Sequence, residues 1–119
     1  MLKPNHRMRE WLLETPHIPE FWWLEVYSGA QPHDPNSLPT GVLLAEGICP
    51  NDAKVQTIMP VLCTGTAGWV RYRPIDGMRP VLWMDGSIGD DASTCEMKMW
   101  GVELFAGSSL QLNFSVTLR

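Results

Sequence analysis

The sequence predicts an all-β protein: an antiparallel β-sandwich or jelly-roll-like barrel of about seven or eight strands, with a short N-terminal helix. Three observations predict it. Short apolar runs recur along the chain, and each is closed by Gly, Pro or Asp turn residues. The stretch Leu110–Leu118 alternates strictly, with Leu110, Leu112, Phe114, Val116 and Leu118 against Gln111, Asn113, Ser115 and Thr117. That is the period of a strand with one face in a core. Finally, 119 residues at 45% hydrophobic suit one domain with one core, spanning 1–119 with 1–20 as a helix and arm.

Residues 5–14 read as the helix. Asn5 is its candidate N-cap, Met8, Trp11 and Leu12 form an apolar stripe, and Pro16 and Pro19 stop it. Phe21–Tyr27 is the first strand, with aromatic residues on both faces, so both faces are expected to be covered. Residues 28–40 hold Gly29, Pro32, Pro35 and Pro39 among Asp34, Asn36 and Ser37. Fixed φ angles and missing donors make this an ordered loop, and its length makes it the expected contact loop. Gly41–Ile48 is the second strand and 49–52 a turn. Val55–Leu62 is the third, with Pro60 marking an edge or bulge. Gly65–Gly68 leads into a strand over Trp69–Arg73, and 74–77 turns on Asp76-Gly77. Arg79–Asp85 is expected to be a strand, 86–93 a polar loop, and Thr94–Trp100 and Leu110–Leu118 the last strands.

Charge narrows the function. Nine Lys and Arg against thirteen Asp and Glu leave a net −4, and the densest basic group is Arg71-Tyr72-Arg73. No nucleic-acid partner is expected from that balance. Charged residues are only 18%, and there are six tryptophans, more than a small core easily hides. Some indoles are therefore expected at contacts with other chains. Cys49, Cys63 and Cys95 are odd in number and show no C-x-x-C, so free, mostly buried thiols are expected, with no zinc site. No signal peptide and no membrane-length apolar run is visible, so synthesis in the cytoplasm and no membrane partner are expected.

No catalytic constellation stands out, and the chain is not expected to be an enzyme or to need a cofactor. His6, His17 and His33 match no zinc spacing. Asp85, Asp90 and Asp91 fail the calcium-loop rule. Glu25 and Glu46 are a weak candidate for a glycosidase-like carboxylate pair. Ser28 and Ser87 lack a nucleophile-elbow context, and Gly65–Gly68 is not a phosphate loop.

Three segments carry a resemblance. Leu24–Pro32 reads L-E-V-Y-S-G-A-Q-P, residues 39–46 read P-T-G-V-L-L-A-E, and residues 65–73 read G-T-A-G-W-V-R-Y-R. Their order resembles small β-rich structural proteins of tailed bacteriophages and prophages, with patterns like R-I-Y-S-G-x-Q-P, G-T-L-L-A and G-T-A-G-W-F-R. The resemblance implies a virion component, first of all a capsid decoration or cement protein. It would bind the major capsid protein and other copies of itself, as a dimer or trimer, on the outer head lattice. Trp11, Trp22, Trp23, Pro32, Asp34, Pro35 and Pro39 are the expected contact residues. A tail, baseplate or fibre-attachment component is one alternative. A carbohydrate-binding module is another, with Trp83 or Trp100 stacking on a sugar beside Asp85 or Glu96.

Overall fold

The structure is a computed structural model, and it describes residues 3–14, 20–75, 82–90, 97–99 and 102–114. In chain order the elements are β1 (Lys3–Pro4), α1 (His6–Glu14), β2 (Phe21–Ser28), β3 (Leu43–Pro50), β4 (Asp52–Pro60), β5 (Gly65–Pro74), β6 (Met84–Asp90), β7 (Met97–Met99), β8 (Glu103–Leu104) and β9 (Ser109–Phe114). The fold is all-β and sandwich-like, antiparallel except where β7 runs parallel to β6.

The main sheet has the order β1-β6-β5-β2-β3, and β4 pairs with β9 in a second, two-stranded sheet. A bridge between Ala45 and Val61 joins β3 to the end of β4. Pro60 sits at the end of β4 and has no N–H to give, which fits a ladder that narrows there to one bridge. Met59 instead packs its side chain against Gly47 of β3, where a Cβ would come within 2.9 Å of it.

Alternation sorts the side chains of the main sheet. Trp22, Leu24 and Val26 of β2 and Val70 and Tyr72 of β5 point inward and are fully or almost fully buried. Ala45 and Cys49 of β3, Met84 and Ile88 of β6, Met59 and Leu110 join them in one core. Met8 and Trp11 of α1 and the adjoining Leu82 belong to the same core. The helix begins as its sequence suggests: Asn5 Oδ1 accepts from the Met8 N–H at 2.8 Å, a side-chain N-cap.

Several boundaries differ from those read off the sequence. The fifth long strand is Met84–Asp90, not 79–85, so the expected polar loop at 86–93 is in part a strand. Gly86 and Ser87 lie opposite Val70 and Trp69, and this pairing overrides the weak strand preference of a glycine-containing run. The strand around Trp69 is longer than its apolar stretch, running from Gly65 to Pro74. β1 and β8, two residues each, carry too few side chains to leave a periodic signal. Residues 76–81, 91–96 and 115–118 of the expected turn and strands lie outside the described residues.

Candidate interaction surface

The outward face of the main sheet carries a second, polar cluster. Register places Tyr27 opposite Trp69 and Glu25 opposite Arg71 across β2 and β5, and Arg71 opposite Asp85 across β5 and β6. Arg71 and Asp85 are both fully buried or nearly so. Arg71 Nε donates to Asp85 Oδ1 at 2.8 Å and Nη2 to Oδ2 at 3.0 Å, a two-pronged pair. The Arg71 guanidinium lies 4.5 Å from the Trp83 ring centre and 5.4 Å from that of Trp69. Tyr27 stacks on Trp69 with ring centres 4.6 Å apart. Arg73 also lies over Trp83 and donates to Glu25 at 3.2 Å. Burial pushes the Asp85 carboxyl above its ordinary range, and the Arg71 fork opposes that rise.

What buries this charged pair is the loop 29–42, which folds back over β5 and β6 as a flap. Its main-chain carbonyls meet the donors beneath. Trp83 Nε1 donates to the Pro35 carbonyl at 2.6 Å, Arg71 Nη2 to the Ser37 carbonyl at 3.1 Å, and Trp69 Nε1 to the Thr40 carbonyl at 3.2 Å. Gln31 donates in turn to the Asp85 carbonyl. The tip is tied to the N-terminal segment, where the His6 N–H donates to Asn36 Oδ1 at 2.7 Å. Asp34 accepts from the Asn36 N–H and side-chain amide, and these bonds hold its carboxyl below its ordinary range. The flap has no regular strand or helix, so its order comes from these bonds and its prolines.

The three segments that carry the resemblance meet at the base of this flap. Ser28 pairs with Ala67, and the Gly29 carbonyl lies so close to Gly68 that a Cβ there would overlap it. Gly41, at φ +83°, packs on the Ser28 carbonyl, and the Val42 N–H donates to Ser28 Oγ. Leu44 fills the space over Gly65, and Ala45 pairs with Val26. Each glycine-bearing motif thus has a packing task at one junction.

The expected contact residues divide. Trp22 and Trp11 lie in the core, and Pro32 is a buried residue of the flap itself, so none of these faces a partner from this fold. The alternation of β2 sends Trp22 inward, and the helix stripe does the same for Trp11. Trp23 and Pro35 are half-buried, while Asp34 and Pro39 are exposed. Leu38, which the sequence reading did not single out, is 86% exposed beside Pro39. Cys49 is buried as expected, but Cys63 is exposed.

The chemical candidates are also placed. Trp83 cannot form a sugar platform with Asp85, because Arg71 takes both carboxylate oxygens and the cation stack occupies the indole. Trp100 and Glu96 lie outside the described residues. Glu25 and Glu46 are register partners across β2 and β3, but Glu25 is bound by Arg73 and by the Tyr27 hydroxyl. Among the described residues no group of three His, Cys, Asp or Glu is placed to hold a metal ion, and no helix is long and apolar enough to cross a membrane. No family model matches the chain, and no curated protein and no solved structure matches it.

Proposed function

We propose that this chain is a non-enzymatic structural protein of a tailed-bacteriophage particle, a decoration or cement protein that binds the outer head lattice. The flap is the observation that carries the reading. It is stapled onto the sheet by Trp69, Arg71 and Trp83, and it displays Leu38 and Pro39 outward. Its base is built from the three segments that resemble phage structural proteins. A loop that is ordered before binding loses little entropy when it docks. Weak contacts repeated over a lattice then add up through multivalency.

The buried polar cluster does not argue for chemistry. Arg71 and Asp85 are sealed from solvent and spend their bonds on each other and on the flap. Their role in this reading is to hold the flap.

Gold labelling of intact particles with an antibody to this chain, viewed by electron microscopy, tests the proposal. Label spread over the head is expected. Label restricted to the tail overturns the cement reading in favour of a baseplate or host-recognition role, and no label overturns a surface role altogether. In a binding assay with expanded capsids, Leu38→Asp should weaken association by about tenfold, equivalent to ~1.4 kcal/mol. Its unfolding midpoint should stay at the parent value, because the residue is exposed.

A further inference from the structure

Trp83, the residue before β6, is held from two sides. Its carbonyl accepts from the Asn5 N–H at 2.9 Å, and its indole Nε1 donates to the Pro35 carbonyl of the flap at 2.6 Å. The next residue of each partner closes the circuit, because the His6 N–H donates to Asn36 Oδ1 at 2.7 Å. Lys3 Nζ adds a long bond to the His33 carbonyl at 3.4 Å. The circuit joins residues 3–6, the flap tip and the start of β6. It also acts on the helix. His6 and Met8 lie in the first turn of α1, whose N–H groups have no acceptor within a helix. Asn5 Oδ1 takes the Met8 N–H and Asn36 Oδ1 takes the His6 N–H, so the flap adds a second cap to the one α1 carries itself. A helix of nine residues is marginal without such help. β1 is equally thin, since it is Lys3 and Pro4 opposite Asp85 and Met84, and Pro4 brings no N–H. The neck of the flap is pinned separately. There the Ser28 N–H donates to the Val42 carbonyl and the Val42 N–H to Ser28 Oγ, with Gly29 and Gly41, both at φ +83°, inside the pair.

We infer that residues 3–6 are a latch on the flap. While they sit on the edge of β6 the tip is held down. When they leave it, the tip lifts about its pinned neck, and Arg71 and Trp83 lose the Ser37 and Pro35 carbonyls that cover them. Neither part is held firmly alone, because a single exposed hydrogen bond and a two-residue strand each contribute little. Each supplies a bond that the other lacks, so the two close together. Such a coupling is reciprocal: a flap that is unlatched loosens the start of α1 by the same factor. The latch does not depend on the virion reading.

Hydrogen exchange of the full chain, read by NMR, tests the latch. His6→Pro removes the donated N–H, and proline suits the first position of a helix, so α1 keeps its geometry. His6→Ala keeps that N–H and loses only the imidazole paired with Glu10. His6→Pro should speed exchange of the Trp83 indole N–H and the Ser37 N–H by about fivefold, the effect of one hydrogen bond. His6→Ala should leave both at the parent rate. Asn36→Ala breaks the same bond from the flap side, and should speed the Met8 N–H at the start of α1 as well as the Trp83 indole. The double variant His6→Pro with Asn36→Ala should exchange at the Trp83 indole no faster than the faster single one. The Leu24 N–H in the middle of β2 and the Val42 N–H at the neck should keep their parent rates. A Trp83 indole unchanged in both His6→Pro and Asn36→Ala overturns the latch. So does a rise shared equally by Leu24 and Val42, which is general loosening, or an effect of His6→Ala as large as that of His6→Pro.

Discussion

Arg71 sits where a β-sandwich usually exposes a polar side chain to water, yet it is buried and answered on every side. The two-pronged bond to Asp85 satisfies part of its fork, the Ser37 carbonyl takes a further donor, and two indoles flank its plane. A buried ion pair is costly to desolvate, so the pair is worth little against an apolar replacement and much against removal of one partner. Asp85→Ala should destabilise the chain by about 3–5 kcal/mol in urea unfolding, because it strands a buried guanidinium. A joint Arg71→Met and Asp85→Leu change should cost markedly less than the sum of the single changes. An additive double-mutant result would show that the two side chains are not coupled. Arg71→Lys should also be costly, since an ammonium has neither the fork nor the flat face. Part of this cluster was legible: alternation puts Trp69, Arg71 and Arg73 on one side of a strand and Trp23, Glu25 and Tyr27 on one side of another. What spacing could not supply was the partner, because Asp85 is fourteen residues from Arg71 and its strand was read too early in the chain.

At the scale of elements, the first strand, the helix and its cap follow from local pattern, since Asn5 and the stripe of Met8 and Trp11 lie within one short segment. β6 did not follow, because a run containing Gly86 and Gly89 forms a strand only when a longer neighbour, β5, supplies the ladder. The loop 28–40 was legible as ordered from its prolines, but not its direction, which is set by Trp69, Arg71 and Trp83 far along the chain. The flap and β5 meet where Gly68 lies against the Gly29 carbonyl, and a Cβ built at Gly68 falls 1.7 Å from that oxygen. Backbone, unlike a flexible side chain, cannot step aside cheaply. Gly68→Ala should therefore cost about 1–3 kcal/mol, as over-packing does, and should lift the flap base. Native-state hydrogen exchange should show the amides of Ser28 and Val42, bonded across that base, losing protection more than the amide of Asn5 at the far end. Equal losses at both ends would mean that flap and sheet do not open separately.

Both tyrosines and Cys49 are buried, and that sets the limit of the whole molecule in alkali. Burial raises the Tyr72 hydroxyl and the Cys49 thiol above their ordinary values of 10.0 and 9.0, with a Thr57 hydrogen bond partly opposing the rise at Cys49. Tyr27 is pushed up to about 12 by burial, and next by the negative Glu25 to which its hydroxyl donates. Each group is a neutral acid whose folded value exceeds its unfolded one. Below about pH 9 both states hold these protons and nothing is lost. Above that, the unfolded chain releases protons that the folded chain retains, so stability falls with each step of pH. The fall begins near the unfolded thiol value, steepens near 10 and persists through the folded Tyr27 value of about 12. Urea unfolding at pH 8, 10 and 11 should give midpoints that drop progressively. Tyr27→Phe removes one of the titrating groups while keeping the ring on Trp69, so its midpoint should drop less steeply between pH 10 and 11. A parent midpoint that is flat to pH 11 would mean that the buried phenols and thiol reach solvent far more readily than their packing around Trp22 and Trp69 allows.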